Sequence, residues 1–171
     1  GIQGMARGGR VGAKKDLVLI DTNVFVIDLR YKRDENYKVN SYFLDYVSQK
    51  KIGFTTVINL LELCGILSFN LNEKQLRDLW FYFQNRYSVA VLPFPDMNGS
   101  FPDMRINEIF DIIKNRTSLG DALIIAAAHK HLPFVSTMIT WDNVHFKDKF
   151  SGAVLTPAEF MQRLKSGLMQ Y

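Results

Sequence analysis

Short apolar runs alternate along the chain with stretches of helical period. The run Leu17-Val18-Leu19-Ile20 closes on Asp21, and comparable runs at 52–55, 88–92, 134–140 and 152–155 are each bounded by turn or capping residues. These read as five strands, the first spanning 17–21. Between them the apolar spacing predicts an amphipathic helix over Val39 to Gln49, a mostly buried one over Thr56 to Phe69, and a third over Asn72 to Tyr87 that opens with an Asn72/Gln75 capping box. Further helices are expected near 104–115, 119–131 and 157–166, and a helix-like run follows Thr22-Asn23. The last helix carries a full start signal: Thr156 as cap, Pro157 at the first helical position and Glu159 to close the box. Strands alternating with helices predict an α/β fold with a central parallel β-sheet of about five strands flanked by α-helices. One long irregular connection, 93–103, holds Pro93, Pro95, Asn98, Gly99 and Pro102, and loops of that length are often functional.

With 171 residues, 47% hydrophobic and 22% charged, the chain has material for one ordinary core, and a folded domain rather than a disordered tail or a fragment is expected. Gly1 to Gly4 before Met5 read as an expression scar, and the glycine-rich segment 6–15 as a flexible basic tail, leaving 16–171 as a single domain. That division changes the charge picture. The net charge of +4 comes from Arg7, Arg10, Lys14 and Lys15, and the remainder balances 17 basic against 17 acidic residues. The tail is either a solvated terminus or an arm adding salt-sensitive phosphate affinity; the body itself has no basic excess. The single cysteine, Cys64, sits in an apolar stretch and reads as a buried structural thiol. No apolar run approaches the roughly 18 residues of a membrane span, and no secretory signal precedes the body, so a cytoplasmic protein with no membrane association is expected.

Four acids in apolar settings carry the candidate chemistry: Asp21, Glu62, Asp121 and Asp142. Each also has a bland reading. Asp21 follows a strand and precedes a helix, so it is a natural N-cap; equally, ligands of open α/β sheets gather beyond the carboxyl ends of strands. Glu62 lies mid-helix with Ile58, Asn59, Gly65 and Ile66 on its face, so its carboxylate either is a hydrogen-bonded structural acid or belongs to a site. Asp121 occupies the third position of a helix that Ser118 can cap, while Ile124, Ile125 and Ala128 share its face. Asp142 follows the fourth strand in Thr140-Trp141-Asp142-Asn143, a turn by itself, but adjacent parallel strands would bring it beside Asp21. Close carboxylates repel by roughly 4 kcal/mol per pair at an effective dielectric of about 20, and a divalent cation resolves that conflict. Asp45, Asp78, Asp111 and Asp148 read as surface acids, and Asp28 as a solvated residue. His129 and His131 do not share a helix face and His145 follows a turn, so all three read as surface or dipole-stabilised histidines. No glycine-rich phosphate loop with Lys-Ser/Thr occurs. The run Trp80-Phe81-Tyr82-Phe83 cannot fit on one helix face, so part of it should meet another surface.

Taken together, these segments resemble the PIN-domain family of metal-dependent ribonucleases. Leu17–Asn23 is similar to the family's opening strand and Asp-Thr-Asn turn, Glu62 to its mid-helix acid, Gly120–Ala128 to its Asp-Ala helix, and Thr140–Phe146 to its Thr-x-Asp-x-x-Phe segment. The resemblance implies a three-layer α/β/α fold with Asp21, Glu62, Asp121 and Asp142 as metal-binding acids and Asn23 and Thr140 as supporting polar residues. It implies hydrolysis of RNA to 5′-phosphate and 3′-hydroxyl ends, and an all-oxygen ligand set favours Mg²⁺ or Mn²⁺. Within the family the chain resembles the VapC-type toxins, which brings an antitoxin protein as an expected partner, while the Trp80–Phe83 run points to core packing plus a homodimer or partner-helix contact rather than base stacking; the 93–103 loop departs from the compact toxin pattern. Two other readings remain: an inert PIN-like module that binds RNA or protein, and a phosphatase or phosphoacceptor domain, which would lack its second acid because position 23 is Asn.

Overall fold

The computed structural model describes residues 16–167; the expected scar and basic tail at 1–15 lie outside them. Five strands, β1 (Val18–Ile20), β2 (Gly53–Thr56), β3 (Ala90–Leu92), β4 (Thr137–Ile139) and β5 (Ala153–Leu155), form one sheet in the order β3-β2-β1-β4-β5. Every pairing is parallel, with Ile20 opposite Ile139 in the centre. The helices are α1 (Thr22–Arg30), α2 (Tyr37–Lys50), α3 (Val57–Leu67), α4 (Glu73–Tyr87), α5 (Ile106–Ile113), α6 (Leu119–His131), α7 (Asn143–Phe146) and α8 (Pro157–Lys165).

Alternation along each short strand divides the core between the two faces of the sheet. Val18, Ile20, Ile139 and Leu155 join a cluster built on α1 to α4 and α8. Leu19, Met138 and Val154 point the other way, against Ile125 and Ala128 of α6 and Phe146 of α7. This is the three-layer arrangement expected of parallel strands buried on both faces.

Cap chemistry sets the helix starts. The expected boxes Asn72/Gln75 and Thr156/Glu159 both form, and a third links Thr56 to Asn59, so Thr56 is the cap of α3 rather than its first residue. Where 134–140 was expected to be strand, only Thr137–Ile139 pairs, because Phe134 and Ser136 stand exposed before the sheet begins. Just past the turn expected around Asp142, residues Asn143–Phe146 close one helical turn, α7. Of the aromatic run on α4, Trp80 and Phe83 are buried while Phe81 and Tyr82 are exposed. The irregular stretch after β3 starts with a cis Leu92–Pro93 bond and is pinned where the Trp80 indole N–H donates to Pro95 O at 3.1 Å. Among the described residues no helix is long and apolar enough to cross a membrane.

Candidate active site

The chain runs outward from β1 through β2 to β3, then returns to place β4 on the other side of β1. The carboxyl ends of β1 and β4 therefore flank the point where strand order reverses, the place in an open parallel sheet where a crevice opens. Asp21 is the first residue past β1, and its backbone N–H donates to Ile139 O at 2.9 Å, so main-chain pairing fixes where its side chain starts.

Asp21 is both cap and candidate ligand. It is the N-cap of α1, and its Oδ1 accepts from the Thr22 N–H at 2.9 Å and from the Asn59 amide at 3.3 Å. Oδ2 accepts from the Thr140 hydroxyl at 2.8 Å. Only 5% of the residue is exposed. Burial pushes its carboxyl up to about 7; the bonds from Thr140 and the Thr22 N–H pull it down, and the charges of Glu62 and Asp121 push it up again. Desolvation dominates because a buried carboxylate gives up water that three neutral donors replace only in part.

Thr140 joins the two strand ends. While donating to Asp21, its hydroxyl accepts from the Asn23 amide at 3.0 Å and from the Asp142 N–H at 3.1 Å, and Asn23 Oδ1 accepts the Trp141 N–H at 3.2 Å. The segment after β4 is thereby tied to the first turn of α1. One donor and two lone pairs are all a hydroxyl has, so Thr140 is fully used.

The remaining acids come from helices. Glu62 is half-buried on α3, and its Oε2 lies 3.7 Å from where a β-carbon on Gly120 would stand, which carries its carboxylate across to the start of α6. Its apolar stripe is buried only on one side: Ile58 and Asn59 are covered, Gly65 and Ile66 exposed. Asp121 sits in the first turn of α6, where its N–H donates to Ser118 Oγ at 3.4 Å, and its Oδ2 lies 3.0 Å from His145 Nε2. The structure thus brings Glu62 and Asp121 each within electrostatic reach of Asp21.

Asp142 departs from expectation. It caps α7 without a side-chain cap bond and is exposed. The group that β4 sets beside the Asp21 carboxylate is Thr140, because β4 ends at Ile139 and the next residue takes the position level with Asp21. Asp142 reaches this cluster through its backbone and stands at the rim. His145, read as a surface or dipole-stabilised histidine, is half-buried and lies against Asp121. Asp28, read as solvated, is half-buried and accepts the Tyr87 hydroxyl at 2.7 Å. Asn59 is the residue the sequence reading left out of the site: beyond Asp21 it donates to Thr22 Oγ1 at 3.0 Å and accepts from the Thr56 hydroxyl at 2.7 Å. Its signal was the Thr56-x-x-Asn59 spacing, obscured because boxes usually close with Glu or Gln. Among the described residues, no three His, Cys, Asp or Glu side chains are spaced to hold a metal ion as they stand. Cys64 is half-buried, and burial pushes its thiol up to about 11, which suits an inert structural role.

No family model matches the sequence, and no curated protein does either. Solved structures do match. FitAcB from Neisseria gonorrhoeae shares 19% identity over 83% of this chain and 99% of its own, with a TM-score of 0.56. FitAB bound to an IR36 DNA fragment gives 0.54 at 19% identity, covering 82% of this chain and 95% of the other. VapBC2 from Rickettsia felis, bound to a DNA fragment from its promoter, gives 0.50 at 17% identity over 81% and 96%. At such identities the likeness shows the fold alone: the chain has the PIN-like three-layer α/β/α fold of these structures.

Proposed function

We propose that this PIN-like domain is a divalent-cation-dependent endoribonuclease whose cation is held by Asp21, Glu62, Asp121 and Asp142. The observation that carries the reading is the Asp21 carboxylate at the β1/β4 switch point, pushed up first by its burial and further by two carboxylates from α3 and α6. An acid placed where its charge is disfavoured, with more acids aimed at it, is an arrangement that stability alone does not select. The donor set fits a hard cation, since all four groups offer oxygen and Mg²⁺ or Mn²⁺ takes oxygen ligands.

When bound, such a cation would polarise the scissile phosphate, lower the pKa of a water and stabilise the departing oxygen. The protein's own residues set the stage for that chemistry. Thr140, Asn59 and the Thr22 N–H fix the Asp21 carboxylate, the central ligand. Asp121 and Asp142 are further ligands, and Glu62 is a ligand or the base that orients the attacking water. Asn23 acts through Thr140, holding the hydroxyl that holds Asp21.

The direct test is incubation of the purified protein with single-stranded RNA and Mn²⁺, analysed for 5′-phosphate ends. Activity that is lost with EDTA, with Asp21→Asn and with Asp121→Asn is expected; cleavage without metal, or variants as active as wild type, would remove the mechanism. Binding of RNA with neither cleavage nor a Mn²⁺-induced thermal shift would assign the inert-module reading instead.

The neighbouring structures are Fit and Vap complexes, and they support a toxin role with a small antitoxin as partner. A groove of about 390 Å³ between α1, α3 and α4, walled by Leu67, Leu71, Leu79 and Phe83 and edged by Arg30 and Arg86, suits an amphipathic segment of that partner. A homodimer is the other assembly in this reading. Helix α5 has no buried residue, and its Ile106 and Phe110 are 85% and 59% exposed, which gives a second copy an apolar face to cover.

A further inference from the structure

We propose that His145 is a positioning residue for Asp121: its Nε2–H holds one carboxylate oxygen while Lys149, set against Nδ1, orients the ring. The inference rests on the reading of Asp121 as a cation ligand. His145 Nε2 lies 3.0 Å from Asp121 Oδ2, and Lys149 Nζ lies 3.2 Å from His145 Nδ1. Lys149 Nζ also donates to Arg116 O at 3.1 Å.

The tautomer follows from what each group can do. An ammonium has donors and no acceptor, so Nδ1 must offer its lone pair to Lys149. The ring N–H is then on Nε2, facing a carboxylate that can only accept. Both contacts are satisfied at once by this form. The reverse tautomer would set a proton against the ammonium and a lone pair against the carboxylate.

The ring is held by the short helix that carries it. Phe146, next to His145, is buried in the core cluster beneath α6, and the Asn143 amide donates to Glu159 Oε1 at 2.8 Å, tying α7 to α8. His145 and Asp121 remain only 32% and 26% exposed at their side chains, so water competes weakly for the bond. A carboxylate has two oxygens, and a donor on Oδ2 leaves Oδ1 to face a cation. Groups that orient a ligand in this way typically change metal affinity by about 10- to 100-fold when removed.

The test measures Mn²⁺ affinity by calorimetry on the full chain, with melting in EDTA as the check on folding. His145→Phe, which keeps the ring and removes the donor, should weaken Mn²⁺ binding about 10-fold with an unchanged melting temperature in EDTA. His145→Gln, whose amide nitrogen reaches the Nε2 position, should restore most of it. If His145→Phe binds as tightly as wild type while Asp121→Asn does not bind, the positioning role is wrong and the metal reading stands. If wild type itself binds no Mn²⁺, both fall together. A long-range ¹H–¹⁵N spectrum of the unsubstituted protein reads the tautomer without any variant: a proton on Nε2 is expected, and one on Nδ1 overturns the proposal.

Discussion

Replacing Asp21 by Asn should stabilise the metal-free protein while abolishing its response to Mn²⁺. The magnitude follows from the raised carboxyl. Lifted to about 7 from an ordinary value near 4, at about 1.4 kcal/mol per pH unit, the ionised side chain costs the fold about 4 kcal/mol once the pH exceeds 7. Between pH 4 and 7 the unfolded chain has released this proton and the folded chain keeps it, so stability falls as pH rises through that window. Asn carries no charge but offers one acceptor oxygen where Asp21 uses two, for Thr140 on one side and for Thr22 and Asn59 on the other. That loss costs about 1–2 kcal/mol. The net gain at pH 8 is then about 2 kcal/mol, a rise in melting temperature of roughly 4–8 °C for a domain of this size. At pH 5 the ionisation penalty is about 1–2 kcal/mol and the lost bonds cancel it, so the two proteins should melt together. Circular-dichroism melts in EDTA at the two pH values read this out, and a Mn²⁺ titration at pH 8 should then raise the melting point of wild type alone. An Asp21→Asn protein less stable than wild type by the same margin at both pH values would refute the reasoning.

Three further outcomes are expected. A β-carbon at Gly53 would stand 2.5 Å from Val47 Cγ1 and 2.9 Å from Val89 Cγ2, both in buried residues, so Gly53→Ala should destabilise by about 1–3 kcal/mol in urea unfolding through overpacking; an unchanged midpoint would show that β2 can shift. Ile106→Asp with Phe110→Lys should turn a dimer into a monomer in light scattering, and a dimer that survives both changes would place its interface elsewhere. Leu71→Glu, which sets a charge into the α3/α4 groove, should stop co-purification with a small antitoxin-like protein co-expressed with the chain while leaving the proposed RNA cleavage intact; retention of the partner would exclude this groove as its seat.

The features legible in the sequence were those whose physics is local. Asn72/Gln75 and Thr156/Glu159 were readable because a box is a property of four consecutive residues, and both form. The strands were readable as apolar runs, though their ends were not: Phe134 and Val135 have strand-like side chains, and pairing begins only at Thr137. Helix α7, four residues long, is too short to show a period. Within the site, Asp21 was legible because a polar residue closing a buried strand is conspicuous. Asn59 was noted only as a neighbour of Glu62, since nothing in a single helix says that its amide will meet a carboxylate 38 positions away. His145 was misread for the same reason, because its bond to Asp121 depends on how α7 settles against α6.

The side chains that hold Asp21 are all neutral, and that choice is informative. Among the described residues, no Lys or Arg pairs with Asp21, Glu62, Asp121 or Asp142; the three Lys/Arg ion pairs lie on the exposed faces of α4 and at the end of α5. A guanidinium beside Asp21 would have lowered its carboxyl and stabilised the fold, but it would also have cancelled the negative charge. Thr140, Asn59 and the Thr22 N–H fix the carboxylate in place and leave its charge uncompensated. Such a cluster is costly to the apo fold and attractive to a divalent cation for one and the same reason. The cost appears as the raised Asp21 carboxyl, so a single substitution at that position ties together stability, pH response and the proposed metal binding.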